Sequence, residues 1–482
     1  MKSRLPAVLT LVAVSSLAGT PYPFKDLPDT VIAVLNVDTG KVEAANNKLL
    51  GTNIFGFTKD REKELVRAFD PITIRFPHGV WANFYDWETD GYSKHGDTFN
   101  NKSHDRVLRI YAEKNFRCGF PGLVQLNAEK MRSERGGFDM VWTYNLNYDD
   151  DQKSVARLRD SVAKGLEVRD IELANEHFWK SQRSTRTGTP DKFLRIAKSL
   201  SAALKKAKPD VRVSIPLSWR RSHGGYNRLI ADDTQYFDAV SIHKYAGADP
   251  DKPGESDKAY SSVLTARLAI QKDVDFARKF APGKPVWMTE WGVSCGTKSQ
   301  AAAALGMADS YLFLFENQDV YERANWFSVN GVLNSFITIS ARRVIKHPLE
   351  KTYYGCVHGI VRGVFEDAQM LRGTMDTSKL TAETGTTNAV NARAVTKNGQ
   401  MLVLAVNLTD KPARFTLKLD GVAYDQASTH EALAFTDLAE VGVLPLEADP
   451  LKLIGKGSDP IVLPPLSISR ISGIRLPAGR QP

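Results

Sequence analysis

Two glutamates are set apart by their positions. Asn175-Glu176 follows a β-type run that ends at Leu173, and Glu290 closes another run, in Thr289-Glu290-Trp291-Gly292. Two carboxyl groups that reach one ligand can divide a displacement between them, one handling the proton while the other attacks or stabilises charge. Singly neither motif is diagnostic, because an Asn-Glu dipeptide is common and a Glu after a strand is ordinarily a solvated or capping residue. Asn175 is placed to hydrogen-bond a hydroxyl next to the reacting carbon, a contact that strengthens in the transition state of sugar chemistry.

Aromatic and polar residues recur in comparable places. One run leads from Arg75-Phe76-Pro77-His78-Gly79-Val80-Trp81 to Asp86-Trp87, another carries His243-Lys244-Tyr245, and a third carries Trp326. Sugars have flat apolar faces ringed with hydroxyls, so aromatic platforms beside donors and acceptors suit them. Trp81, Tyr85, Trp87, Trp179 and Trp219 are candidates for outer subsites, and several of them must be core. Lys180, Arg183, Arg186, Arg220, Arg221 and His223 follow two of the strands. If they converge they can receive the carboxylate or sulfate of an acidic glycan; the plainer reading is a scattered, solvated basic surface.

Residues at strand ends act together only if the scaffold gathers those ends. From about residue 50 to 370, short β-branched or aromatic runs alternate with longer amphipathic stretches, the grammar of repeated βα units. Eight runs are read as strands: Gly51–Gly56, Ile72–Phe76, Gly122–Asn127, Val168–Leu173, Val211–Ile215, Phe237–Ile242, Pro285–Thr289 and Ala324–Val329. Helices are expected between them, for example Pro190–Ala207 and Ser299–Glu316. Eight such units predict a (β/α)8 TIM barrel, an α/β fold whose chemistry sits where the strands end. In it the fourth and seventh strands end facing each other across the mouth, which brings Glu176 and Glu290 to one ligand.

After Met370 the pattern changes to alternating strands, Ala389–Thr396, Met401–Leu408, Ala413–Leu419 and Ile461–Ile471, with Asn398-Gly399 as a hairpin turn. This predicts a C-terminal β-sandwich over 371–482. The segment Thr30–Ala45, with Asp38-Thr39-Gly40 as its turn, reads as a hairpin within an N-terminal stretch (19–49) that joins the sandwich.

The 482 residues, 42% hydrophobic and 25% charged, exclude disorder, collagen and low complexity. Lys and Arg number 64 against 55 Asp and Glu, a net +9 spread along the chain. That spread speaks against a nucleic-acid arm and for anionic partners generally, acidic polysaccharides included. Lys2 and Arg4 precede an apolar run from Leu5 to Leu17, with small residues at Ser16 and Ala18, so a cleaved leader over 1–18 is expected. The run is shorter than the roughly 20 residues of a membrane anchor. The mature chain is therefore expected to be secreted or periplasmic, without stable membrane insertion. Cys118, Cys295 and Cys356 lack metal-ligand spacing and allow at most one bridge; three small buried hydrophobes is the plainer reading. No metal or organic cofactor is implied, because the chemistry needs only carboxyl groups and water.

Asn175-Glu176 after strand four and Glu290 after strand seven resemble clan A of the retaining glycoside hydrolases, over about residues 50–370, and the trailing sandwich is similar to one appended in several of its families. The segment Arg75-Phe76-Pro77 to Asp86-Trp87, the His243-x-Tyr245 pair and Thr289–Gly292 look most like α-L-arabinofuranosidases, with β-xylosidases and heparanase-type β-glucuronidases as neighbours. The resemblance implies a double displacement on a polysaccharide or oligosaccharide, with Glu176 as acid/base and Glu290 as nucleophile. It also implies that Tyr245 orients Glu290. Arg75 is expected to hold Glu290 ionised, with His243 close by and Trp326 as the floor of the reacting-sugar subsite. The duller alternatives are a structural ion pair, a rim tyrosine, a structural histidine and ordinary barrel packing. One departure stands out: the arabinofuranosidase pattern has two glycines after the proline, and His78 replaces the first, either narrowing the pocket or meeting a substrate anion. Competing functions are a catalytically silent carbohydrate-binding barrel and a polysaccharide lyase using Tyr and His.

Overall fold

Eight short, nearly all-buried runs form parallel strands that close into a barrel: Gly51–Asn53, Thr73–Phe76, Asp139–Tyr144, Asp170–Leu173, Arg212–Pro216, Ala239–Ala248, Val286–Cys295 and Tyr321–Trp326, numbered here as barrel strands 1 to 8. Strands buried on both faces favour apolar sequence, and the polar residues these runs carry, such as Asn53, Arg75, Glu172 and Thr289, bond to one another inside the barrel. The computed structural model describes residues 22–92, 102–133, 136–250, 256–296, 300–330, 336–338, 349–457 and 460–476. The expected leader over 1–18 lies outside the described residues. Among those described, no helix is long and apolar enough to cross a membrane.

Seven of the expected strands overlap barrel strands, and the third does not. Gly122–Asn127 lies inside the helix Phe120–Met131, which starts after Gly119 in a left-handed conformation, carries Pro121 in its first turn, and buries Phe120, Leu123, Leu126 and Asn127. Burial every three to four residues is a helical stripe, and it overrides the β-type composition. The real third strand is Asp139–Tyr144. The ordinal positions of the fourth and seventh strands are unaffected.

A second, ten-stranded and largely antiparallel sheet forms the sandwich domain. In its hairpin Val390–Lys397 to Gln400–Asn407, Asn398 and Gly399 both have positive φ, as a two-residue primed turn requires. Val31–Ala44 is not a hairpin. It is a single strand between Gln369–Thr377 and Ala413–Leu419, with a bulge between Asp38 and Val42. The turn chemistry there is real but is used in the bulge, where Asp38 accepts from the Gly40 N–H and Asp420 from the Thr39 N–H and hydroxyl. The helix Gln300–Glu316 is buried from Ala301 to Phe315 because barrel strand 7 lies on one side of it and the sandwich sheet on the other. Cys118, Cys295 and Cys356 are buried, and among the described residues they form no disulfide.

At the end of the barrel away from the mouth, Arg323 of strand 8 crosses to Asp139 of strand 3 and Asp170 of strand 4, its Nε donating to Asp170 at 2.8 Å and its Nη2 to Asp139 at 2.8 Å. Lys48 stands farther off, 3.7 and 3.6 Å from the same two carboxylates. Removing the guanidinium in Arg323→Met strands buried carboxylates and is expected to cost about 3–5 kcal/mol. Urea unfolding reads this directly; an unchanged midpoint would show that Lys48 suffices.

Candidate active site

Local backbone devices aim the functional side chains. On barrel strand 6, residues two apart share a face, so His243 and Tyr245 point inward while Lys244 points outward. On barrel strand 7 the register slips against both neighbours between Trp287 and Trp291. This irregularity lets the consecutive residues Thr289 and Glu290 both face the interior. After strand 4, Ala174 and Glu176 have φ of 70° and 44°, a left-handed backbone that is uncommon for residues other than glycine. Gly79 has φ 57°, and a Cβ there would come within 3.6 Å of the Phe327 ring and 3.9 Å of Glu290 Oε1. Glycine keeps that space open beside the carboxylate.

The centre is a buried ionic network. Arg75 donates to Glu172 at 2.6 Å, to Glu290 at 2.7 Å, to Asn175 Oδ1 at 2.8 Å and to Asn53 at 3.3 Å. His243 Nδ1 lies 3.1 Å from Glu176 and 3.6 Å from Glu290, and its Nε2 lies 3.0 Å from Thr289 Oγ1 and 3.3 Å from Glu172. Tyr245 donates its hydroxyl to Glu290 Oε2 at 2.8 Å. Glu176, His243 and Glu290 each offer a ligating atom, all within 4.8 Å of one another. The His243 imidazole lies between Glu176 and Glu290, and the Arg75 guanidinium lies between Glu290 and Glu172.

Burial works against the His243 imidazolium, yet Glu290, Glu172 and Glu176 outweigh it and push its pKa up to about 10. Burial would likewise raise Glu172, but Arg75 and then His243 hold it at about 2. Burial and then the Glu290 charge push the Tyr245 phenol well above its ordinary value, so it remains a donor. The Glu176 side chain keeps 20% of its surface and Glu290 only 7%, which makes Glu176 the more open of the pair.

Arg75, Asn175, Glu176, His243, Tyr245 and Glu290 are thus brought together. Trp326 is not: it is fully buried, edge-on to Trp291 at 4.7 Å and stacked on Phe336 at 5.6 Å. The strand ends there, so the next residue, half-buried Phe327, meets Tyr245 at 6.1 Å and Phe55 at 5.2 Å. His78 borders the site with its ring 3.8 Å from Phe55, and burial followed by Arg75 lowers its pKa to about 3. It is a neutral wall rather than a cation for a substrate anion. Trp81 is half-buried against Tyr111 and Tyr92, apart from the carboxylate network, and Tyr85 is core.

The basic residues do not all converge. Arg183 is buried and bonds the carbonyls of His177, Phe178 and Gly188, while Arg186 bonds that of Asp149. Arg220, Arg221, His223 and Lys180 stay on the rim.

Sequence reading missed Glu172, Thr289 and Asn53 as members of the network. The available signal was an acid between Ile171 and Leu173 in a strand that is otherwise apolar.

No protein-family model and no curated protein sequence matches the chain. Solved structures do. The arabinofuranosidase of glycoside hydrolase family 51 from Xanthomonas axonopodis pv. citri superposes with a TM-score of 0.66 at 15% identity, covering 92% of this chain and 99% of that one. The family 51 α-L-arabinofuranosidase from Bifidobacterium longum gives 0.68 at 15% identity, covering 91% and 99%. A family 44 xyloglucanase from Paenibacillus polymyxa gives 0.60 at 12% identity, covering 92% and 99%. At such identities the likeness establishes the shared fold, a (β/α)8 barrel with a C-terminal β-sandwich.

A histidine-resolved NMR titration tests the charge arrangement. His243 is expected to stay protonated to about pH 10, so its contribution to stability is complete below 6.5 and lost as pH rises through about 10. Glu172 has the opposite sign, contributing fully above 4.5 and losing its contribution as pH falls toward about 2. A His243 that titrates near 6.5 would mean the network holds one cation, not two.

Proposed function

We propose that the chain is a retaining glycoside hydrolase acting on a polysaccharide or oligosaccharide outside the cytoplasm. One observation carries the reading: carboxyl oxygens of Glu176 and Glu290 meet within 4.8 Å at the mouth of the barrel. Carboxyl groups about 5–5.5 Å apart suit direct attack on the sugar, whereas the wider inverting spacing admits a water between them. Export is carried by the expected leader alone.

In this mechanism Glu290 attacks the anomeric carbon as Glu176 gives its proton to the leaving oxygen, so one C–O bond forms while the other breaks. Glu176, now a carboxylate, takes a proton from the water that opens the glycosyl ester and regenerates Glu290. The contacts favour this division. Glu176 is the carboxyl group without an Arg75 contact and the more open of the reacting pair. Arg75 and Tyr245 fix both oxygens of Glu290, which presents the nucleophile in one orientation. Among the described residues Asn175 Nδ2 donates to Gln182 at 3.3 Å, and its Oδ1 accepts from Arg75.

Glu176→Ala is expected to lower turnover about 10²–10⁴-fold on substrates with poor leaving groups. Azide should then yield a glycosyl azide of retained configuration, and with Glu290→Ala one of inverted configuration. Near-normal rates in either variant would refute the assignment. An unsaturated product would identify a lyase, and binding without turnover by the parent chain a silent barrel.

A further inference from the structure

We propose that Trp179, Trp219 and Arg220 form a leaving-side subsite that recognises a sugar bearing an anionic group, a carboxylate or a sulfate ester. The term leaving-side rests on the hydrolase reading; the recognition of an anion does not.

Trp179 lies three residues beyond Glu176, and its N–H donates to the Glu176 carbonyl at 2.9 Å. The rim that continues from a proton donor is the rim that meets the departing sugar. There the Arg220 guanidinium lies 4.6 Å from the centre of the Trp179 ring and 5.1 Å from that of Trp219. Cation–π contact holds the side chain without a carboxylate partner, and the N–H fork of a guanidinium is the edge that matches a carboxylate or sulfate. An exposed arginine ordinarily loses rotamer freedom when it binds. Contact with two indoles has already restrained this one.

The loop beneath is fixed as well. Ser218 receives the Arg220 N–H at 3.2 Å, and Asn227 ties both the N–H and the carbonyl of Ser218, at 2.8 and 2.7 Å. The surrounding charge is unbalanced. Lys244 lies 4.4 Å from the Trp219 ring and pairs with Asp273 at 2.6 Å, and Arg221 reaches the same carboxylate at 3.9 Å. One acid therefore serves two cations, and among the described residues no carboxylate pairs with Arg220. His223, edge-on to Trp179 at 4.9 Å, bonds Ser218 at 2.8 Å and adds no fixed charge, its pKa being lowered by partial burial and by Arg220.

The test compares the full chain with Arg220→Ala and Arg220→Lys on three matched oligosaccharide series: neutral, uronic-acid-bearing and sulfated. Arg220→Ala should lower the ratio of anionic to neutral kcat/KM about tenfold to a hundredfold, the scale of a hydrogen bond to a charged group. Arg220→Lys should recover part of the loss. Arg195→Ala, a cation in the separate groove lined by Asp150 and Arg186, should leave the ratio unchanged. In parallel, Glu176→Gln with and without Arg220→Ala is titrated with the same acidic oligosaccharides, followed by tryptophan fluorescence. An Arg220-dependent response to the uronate series alone identifies a carboxylate, and to the sulfated series alone a sulfate ester. No turnover on any series but Arg220-dependent binding sinks the hydrolase reading and leaves the anion subsite standing. A ratio and a titration both indifferent to Arg220 overturn the proposal.

Discussion

A fully buried guanidinium constrains the interior of this barrel. Arg75 is removed from water, and a cation there is tolerable only if its donors are met by charge and dipole from every side. Glu172, Glu290, Asn175 and Asn53 meet them, and they come from three different barrel strands and their ends, Glu172 and Asn175 sharing one. The requirement runs both ways. Glu172 is held as a carboxylate beside the guanidinium, Glu290 is bonded to it at 2.7 Å, and Arg75 cannot leave without stranding both. Such mutual dependence fixes side chains more tightly than packing alone, and it makes the left-handed backbone at Ala174 and Glu176 sustainable.

Glu172 extends the same logic one layer deeper. Its oxygens receive Arg75 at 2.6 Å, Thr289 at 2.8 Å and Thr143 at 3.2 Å, with His243 at 3.3 Å. A carboxylate so saturated is a poor base and a good anchor. It holds Arg75 from one side and His243 from the other, so the two groups that frame Glu290 share a support. The separation of Glu176 from Glu290 is thus set by a third acid that does not face the ligand.

Much of this was legible in the chain. Glu176 and Glu290 are legible because strand order in a closed barrel is robust to misplacing one strand: Gly122–Asn127 reads as β but lies in the helix Phe120–Met131, and the following strands keep their ordinals. Pro190–Ala207 was readable from Pro190 and an amphipathic stripe, and the Asn398-Gly399 hairpin from backbone preference alone. Properties that depend on register were not legible. Trp326 and Phe327 differ by one residue, and a one-residue shift in a strand exchanges core for cleft. The Thr289–Glu290 irregularity is invisible for the same reason, since it breaks the alternation from which facing is inferred. Asp38-Thr39-Gly40 carried correct local chemistry, but whether it closes a hairpin or bulges a strand is decided by partners hundreds of residues away.

The alternation on barrel strand 6 also separates two kinds of specificity. His243 and Tyr245 turn inward and belong to a network in which each charge is counterbalanced, so substitution there disturbs several partners at once. Lys244, between them, turns outward and supports Trp219 on the rim. Rim residues carry no such web of obligations, and Arg220 rests on indole faces rather than on a carboxylate. Proteins of this fold bear names as different as arabinofuranosidase and xyloglucanase, which is the expected consequence of a constrained interior beneath a changeable edge. The interior limits the reaction class, because only a few arrangements satisfy a buried Arg75. On the hydrolase reading, the sugar that reaches Glu176 and Glu290 is chosen at the edge, where Trp179, Trp219 and Arg220 can change without unbalancing the charges below.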